Sequence, residues 1–101
     1  MLFSEQAKKY GVWLHCGSIY EKAPGDDHPY NCTMVINPSG KLVARYRKAH
    51  PFDVVIADGS SVRESDRISP GNELVTMDTG EVGHLGLSIC YDMRFGEMYA
   101  L

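Results

Sequence analysis

The sequence predicts an α/β fold in which short strands carry candidate functional residues at their ends. Strand-like alternation, hairpin turn signals and helix-forming segments at both ends of the chain favour this class. A helix is expected near 2–9 and a strand at 12–19, where apolar residues alternate. Pro38-Ser39-Gly40 predicts a β-hairpin between strands at 31–37 and 41–47, because proline fixes φ and glycine tolerates positive φ.

The second half of the chain predicts a long loop, a second hairpin and a further helix. Pro51 ends regular structure, and 53–70 is expected to be a loop. Residues 74–78 are expected to pair with 84–89 across a Thr-Gly-Glu turn, and 95–101 begins a helix.

The most informative residue is Cys90, which follows an alternating apolar segment. Leu85, Leu87 and Ile89 would bury one face of a strand that ends at the cysteine. In layered α/β proteins, substrates bind beyond the carboxyl ends of strands, where free N–H groups of the next turn can bind an anion. Cys90 is therefore a candidate nucleophile, although a lone cysteine in such a strand is more often a small core residue.

Composition narrows the classes of function. The chain has 101 residues, which allows one domain at most, and its formal net charge of −3 gives no basic field for nucleic acid. No apolar run has the length of a membrane span. The three cysteines lack Cys-x-x-Cys spacing, which argues against a disulfide framework and a structural zinc site. We therefore expect a cytoplasmic protein without nucleic-acid or membrane partners.

Three ordered segments resemble a known family. Ile-Cys-Tyr-Asp-Met-Arg-Phe at 89–95 is similar to the nucleophile motif of the nitrilase, or carbon-nitrogen hydrolase, superfamily. The Tyr-Arg-Lys setting within 44–52 resembles the segment that carries the family's catalytic lysine, which maps onto Lys48. Arg-Glu-Ser-Asp at 63–66, followed by Pro70-Gly71, resembles the Glu-Ser and Pro-Gly pattern of the omega-amidase-like branch.

The resemblance covers nearly the whole chain and implies a fold and an assembly. The helix-strand unit at 7–19 and the pair Tyr30-Asn31 also match. The implied fold is part of an αββα sandwich, with 1–101 as one partial domain whose N-terminal and C-terminal portions are missing. The family's first catalytic glutamate has no counterpart in these residues, so we expect the chain to be inactive alone. The full-length parent is expected to form a homodimer or a higher homo-oligomer.

The resemblance also implies an amidase reaction without a cofactor or metal. Its substrate would be the amide of a small carboxylic acid, and ammonia would be released. Cys90 would be the nucleophile, while Lys48 and the backbone amide of Tyr91 would stabilise the anionic adduct. Glu64 would orient the lysine.

Asp92 and Arg94 are given a supporting role in holding Cys90, either by pairing with each other or by bonding the backbone of the turn.

Three alternative functions stay open at this point. The protein could be a catalytically dead subunit or binding module, a nitrile hydrolase, or a thiol hydrolase in which His50 or His84 serves Cys90. A metal site built from the four histidines lacks ligand spacing.

Overall fold

A computed structural model of the chain describes residues 2–25 and 27–100. These residues form two α-helices and eight β-strands in the order α1 (Leu2–Tyr10), β1 (Leu14–His15), β2 (Ile19–Glu21), β3 (Tyr30–Ile36), β4 (Leu42–Arg47), β5 (Asp53–Val55), β6 (Ser61–Arg63), β7 (Thr76–Asp78), β8 (His84–Gly86) and α2 (Gly96–Ala100). Two 3-10 helices, Glu64–Asp66 and Cys90–Arg94, complete the order. In this part of the chain, neither α-helix is long and apolar enough to cross a bilayer. The last residue of the helix expected at 95–101 lies outside the described residues.

The main sheet is antiparallel and is centred on β3, which pairs with β1, β2 and β4. The single strand expected at 12–19 is wrong, because the chain forms β1 and β2 there instead. Gly17 lies between them with a φ of +45°, which an extended strand does not allow. The N–H of Cys16 still donates to the Met34 carbonyl at 2.8 Å, so both short strands stay on the same partner.

The predicted β3–β4 hairpin is confirmed, and its turn follows the residue types. The side-chain oxygen of Asn37 accepts hydrogen bonds from the N–H groups of Ser39 at 3.0 Å and Lys41 at 2.9 Å. Gly40 has a φ of +84°, which favours glycine over other residues. This hairpin delivers Lys48 directly after its second strand.

The loop expected at 53–70 contains regular structure, which corrects that expectation. β5 and β6 form a two-stranded hairpin, and the N–H of Ile56 donates to the Ser60 carbonyl at 2.9 Å across its turn. Asp58 accepts the N–H of Ser60 at 2.8 Å within the turn. Each strand has only three residues, which is too short for a clear alternation of apolar and polar positions.

One hydrophobic cluster joins the elements that carry the candidate residues. Its buried members are Val35 of β3, Tyr46 of β4, and Leu87 and Ile89 from the segment after β8. Their packing holds the end of β4 against the segment that leads to the candidate nucleophile.

The predicted β7–β8 hairpin is confirmed with shorter strands than expected. Hydrogen bonding continues one residue beyond β8, where the N–H of Leu87 donates to the Val75 carbonyl at 3.0 Å. Ile89 keeps an extended backbone, with φ −133° and ψ 120°. As expected, Leu87 and Ile89 are buried and Cys90 is exposed, whereas Leu85, expected on the same buried face, is only partly buried.

Candidate active site

Cys90 combines an exposed thiol with a strained backbone. It opens the 3-10 helix Cys90–Arg94, and its φ of +48° is the only positive value of a non-glycine residue in the described ranges 2–25 and 27–100. Left-handed backbone costs such a residue about 1–2 kcal/mol. Strain of this kind concentrates at functional sites. The sharp turn presents the thiol to solvent, as a nucleophile requires.

Lys48 lies directly after β4, and its ammonium group is buried. The side chain is 2% exposed, and Nζ is 2.7 Å from Oε1 of Glu64. The backbone of Lys48 is fixed as well, because its N–H donates to the Asn31 carbonyl and its carbonyl accepts the N–H of Gly71, both at 2.8 Å. The cation is therefore held in one place by its side chain and its main chain.

Glu64 holds this cation and is itself held by the backbone of the segment that follows Lys48. The oxygen that accepts from Lys48 also accepts the N–H of Phe52 at 2.7 Å. Burial disfavours the ionised carboxylate, but the hydrogen bonds from Lys48 and Phe52 outweigh it and lower the pKa of Glu64. A charged carboxylate thus faces the buried ammonium.

The Pro-Gly pair has a steric role beside this site. Gly71 packs directly against the end of β4, where an added Cβ would lie 2.3 Å from the carbonyl oxygen of Arg47. Only glycine permits that approach without a shift of the backbone.

Asp92 is fully buried and accepts four hydrogen bonds. Its Oδ2 accepts from the Tyr46 hydroxyl at 2.5 Å and from the N–H of Ile89 at 3.0 Å. Its Oδ1 lies 3.0 Å from the backbone N and 2.7 Å from Nδ1 of His50. Burial and the bond to Asp92 raise the pKa of Tyr46, which keeps its hydroxyl a donor. One carboxylate therefore ties the lysine segment to the residue that precedes the cysteine.

Aromatic contacts surround the turn. Tyr91 meets Phe52 edge to face with ring centroids 4.9 Å apart, and it meets Phe95 at 5.4 Å in the same way. The His50 ring stacks on Phe95 at 3.8 Å. These contacts join the segment after Lys48 to the segment after Cys90 by packing as well as by hydrogen bonds.

The six site residues predicted from the sequence fall into two groups: the ion pair Lys48 and Glu64, and the 3-10 helix residues Cys90, Tyr91, Asp92 and Arg94. Of the two roles left open for Asp92, the structure has it bond the backbone of the turn, at Ile89. Arg94 is exposed and forms no ion pair with any residue of the described ranges.

Sequence analysis missed two members of the network, Tyr46 and His50. It considers His50 only as a partner of Cys90, whereas the structure places that ring on Asp92. A signal was present, because Tyr46, Lys48 and His50 occupy alternate positions, which share one face of an extended chain. His84, the other candidate partner, is exposed and lies 3.5 Å from Asp78.

The described residues provide an accessible thiol and a fixed cation. A thiolate can attack an electrophilic carbon, and an ammonium can stabilise the anion that forms. Glu64 is engaged with Lys48 and Phe52, so its contacts suit orientation of the lysine rather than proton transfer from the thiol.

Two other features of the described residues lie apart from this arrangement. No group of three or more His, Cys, Asp or Glu residues is placed to hold a metal ion within the ranges described. A cavity of about 280 Å³ is lined by Arg45, Arg47, Asn72, Glu73 and Val75. None of the six predicted site residues is part of its lining.

Comparison with known proteins gives consistent matches over the chain. A family model for carbon-nitrogen hydrolases matches residues 2–101. The omega-amidase NIT3 of Saccharomyces cerevisiae is 44% identical over 98 residues, which are 97% of this chain and 33% of that protein. The deaminated glutathione amidase of Dictyostelium discoideum is 44% identical over 100 residues, covering 96% of this chain and 34% of that protein. The chain thus spans about a third of the length of these relatives.

Solved structures give the same result for the fold. The Caenorhabditis elegans NitFhit protein matches with a TM-score of 0.85 and 39% identity, over 96% of this chain and 24% of that chain. Saccharomyces cerevisiae Nit3, a member of branch 10 of the nitrilase superfamily, matches with a TM-score of 0.76 and 39% identity, over 94% of this chain and 31% of that chain. These likenesses confirm the predicted fold class, of which the chain forms a part.

Proposed function

The chain belongs to the carbon-nitrogen hydrolase family, and from that premise we propose that its full-length gene product is a cysteine-dependent amidase. By full-length gene product we mean this chain with any coding sequence that flanks it. The proposed reaction hydrolyses the primary amide of a small carboxylic acid and releases ammonia, without a cofactor. The amidase names of the relatives support this class of reaction.

The observation that carries the proposal is the exposed thiol at a positive φ, tied through its turn to the segment of a buried lysine. In the proposed first step, the Cys90 thiolate attacks the amide carbon and forms a tetrahedral adduct. Collapse of the adduct breaks the carbon-nitrogen bond, and a proton moves to the departing nitrogen to give ammonia. Water then cleaves the thioester, which yields the carboxylic acid and restores the thiol.

Lys48 is proposed to stabilise the negative charge on the oxygen of the adduct, together with the backbone N–H of Tyr91. A fixed donor in a water-poor site stabilises a developing charge without reorganising. The 2% exposure of Lys48 and its hold by Glu64 support this role. Glu64 is proposed to orient the lysine and Asp92 to hold the turn. Arg94 is proposed to support the same turn, since it lies in the 3-10 helix that Cys90 opens.

The proton transfers need a further carboxylate that these six residues do not provide. Glu64 and Asp92 both accept several hydrogen bonds from neighbouring groups. We propose that a glutamate outside the 101 residues serves as the general base and acid. The chain would then be part of one larger domain and inactive alone.

We also propose a location and an assembly for the gene product. A cytoplasmic location fits the cysteines Cys16, Cys32 and Cys90, all of which are free. A homodimer or higher homo-oligomer follows from the family resemblance alone. Light scattering during size-exclusion chromatography would measure the assembly directly, and a monomer would contradict that part of the proposal.

Ammonia release from small amides, such as omega-amides of 2-oxo acids, tests the proposed reaction. The full-length gene product is expected to release ammonia, and Cys90→Ser to lower the rate by on the order of 10³-fold or more. Lys48→Met is expected to lower it by about 10²- to 10³-fold. Cys16→Ser, which alters another thiol, is the matched control and is expected to keep the rate.

Four outcomes would contradict parts of this proposal. Full turnover by Cys90→Ser would exclude the nucleophile. Robust turnover by the 101-residue chain itself would show that its own residues include the general base. Absence of activity in the gene product would favour a catalytically dead subunit, and preference for nitriles over amides would favour a nitrile hydrolase.

A further inference from the structure

The contacts of Asp92 define the state of the His50 ring. A carboxylate has about four positions that accept hydrogen bonds, and four groups from three residues, Tyr46, His50 and Ile89, are placed to fill those of Asp92. An ionised carboxylate only accepts hydrogen bonds, so with Asp92 as a carboxylate the 2.7 Å contact assigns the proton to Nδ1 of His50. The ring therefore gives its Nδ1–H to Asp92.

The ring is held on its face as well as at its edge. It stacks on Phe95 with centroids 3.8 Å apart and planes inclined by 10°. The backbone N–H of His50 donates to the same oxygen of Asp92 at 3.0 Å. No hydrogen bond joins Cys90 to a histidine within the described residues. The contacts of His50 thus fit a structural link and not a base for the thiol.

We propose that His50 is a positioning residue for the reaction, which holds Asp92 so that the carboxylate keeps the Cys90 turn in register with Lys48. The inference rests on the proposed amidase function and adds a residue to it. Its physical basis is that Asp92 is 0% exposed, so a lost donor cannot be replaced by bulk water at no cost. Loss of the Nδ1–H bond would leave Oδ1 with only the backbone N–H of His50. The carboxylate would then be held by three bonds instead of four, and the acceptor of Ile89, which directly precedes Cys90, would be less firmly fixed.

The size of the effect follows from geometry. Displacement of a reacting group by about 1 Å costs about 10²-fold in rate. Because the strained turn of Cys90 depends on contacts around it, loss of the Nδ1–H bond is expected to lower kcat by about 10- to 100-fold. KM is expected to change little, since His50 is not proposed to touch substrate.

The test uses a matched set of substitutions in the full-length gene product. His50→Phe keeps a ring that can stack but removes the donor. His50→Asn places an amide N–H near the position of Nδ1, whereas His50→Gln places it farther out. His84→Phe, on an exposed ring of the β7–β8 hairpin, is the control. We expect Phe and Gln at position 50 to lower kcat, Asn to restore most of it, and His84→Phe to leave it unchanged.

Equal loss in the Asn and Gln variants, or unchanged kcat in His50→Phe, would overturn the proposal. If the Phe variant does not fold, the Asn and Gln pair alone decides. Amide hydrogen exchange at Ile89 separates this proposal from the amidase assignment, because it needs no turnover. We expect exchange to rise about 10-fold or more with Gln and to stay near the native rate with Asn. An inactive gene product that shows this pattern would refute the amidase function and leave only the structural hold of His50 on Asp92. Unchanged exchange in both variants would overturn that hold as well.

Discussion

The pair of Lys48 and Glu64 predicts an asymmetric loss of stability when either partner is removed. Lys48 is 2% exposed, and Glu64 is its one ion-pair partner among the described residues. Replacement of Glu64 by Leu leaves a buried ammonium without an acceptor, which costs about 3–5 kcal/mol of unfolding free energy. Replacement of Lys48 by Met leaves a carboxylate that is 23% exposed and still bonded to Phe52. Water can reach that group, so the expected cost is about 1–2 kcal/mol.

The double variant Lys48→Met/Glu64→Leu removes both charges and should be more stable than Glu64→Leu alone. Replacing a buried pair by apolar residues of similar size is often close to neutral. Urea unfolding of the full-length gene product at pH 7, followed by circular dichroism, measures the three losses, with an unchanged m-value as the check on two-state behaviour. Glu64→Gln, which keeps an oxygen acceptor, provides an intermediate if Glu64→Leu does not fold. Equal costs for the two single changes, or additive costs in the double variant, would refute the reasoning.

Three further predictions concern the same region. The folded state lowers the pKa of Glu64, so the contribution of this group to stability is present above the ordinary glutamate pKa of about 4.3 and is lost as the pH falls through the folded value. Unfolding measured against pH should show this loss of stability, and Glu64→Gln should make the loss smaller. Alkylation followed by mass spectrometry should modify the exposed Cys90 first and Cys32 last, since burial shields Cys32 and raises its pKa; the reverse order would contradict the assigned exposures. Gly71→Ala should destabilise the chain by about 1–3 kcal/mol, because its Cβ would meet the Arg47 carbonyl; an unchanged urea midpoint would contradict that contact.

Local patterns predicted the elements whose signals are local. The β3–β4 turn follows from Pro38, Ser39 and Gly40, and the β7–β8 hairpin from its own turn residues. The split into β1 and β2 was missed because it depends on the left-handed φ of Gly17. Glycine permits this φ, but no neighbouring residue indicates that Gly17 adopts it. The β5–β6 hairpin was missed because three-residue strands give no usable period.

The site shows the same division between local and long-range information. Cys90 could be singled out because a strand pattern ends there, and the family resemblance added Lys48 and Glu64. The bond from Tyr46 to Asp92 joins residues 46 positions apart, and the bond from His50 spans 42 positions. Such a contact depends on how the hairpins pack, which no spacing in the sequence encodes. The sequence therefore indicated the reacting groups better than the groups that hold them.

Two carboxylates, Asp92 and Glu64, hold the end of β4 and the segment after it, and they bind alternate residues along the chain. Asp92 accepts a side-chain and a backbone donor from His50, together with the Tyr46 hydroxyl. Glu64 accepts hydrogen bonds from the ammonium of Lys48, which lies between those two residues in the sequence, and from the backbone N–H of Phe52. Each carboxylate comes from a different 3-10 helix, one after β6 and one after the β8 segment.

The two carboxylates, here called the anchors, have different roles at the site. Glu64 fixes the cation, because its hydrogen bond ends on the ammonium itself. Asp92 fixes the relation of the cation's segment to the thiol's turn, because its bonds end on both. Loss of Glu64 should therefore affect charge stabilisation while leaving the turn in place, whereas loss of Asp92 should displace Cys90 while the ion pair persists. Since the anchors share the segment at 46–52 but not the groups they hold, their effects on stability should couple more strongly than those of distant sites.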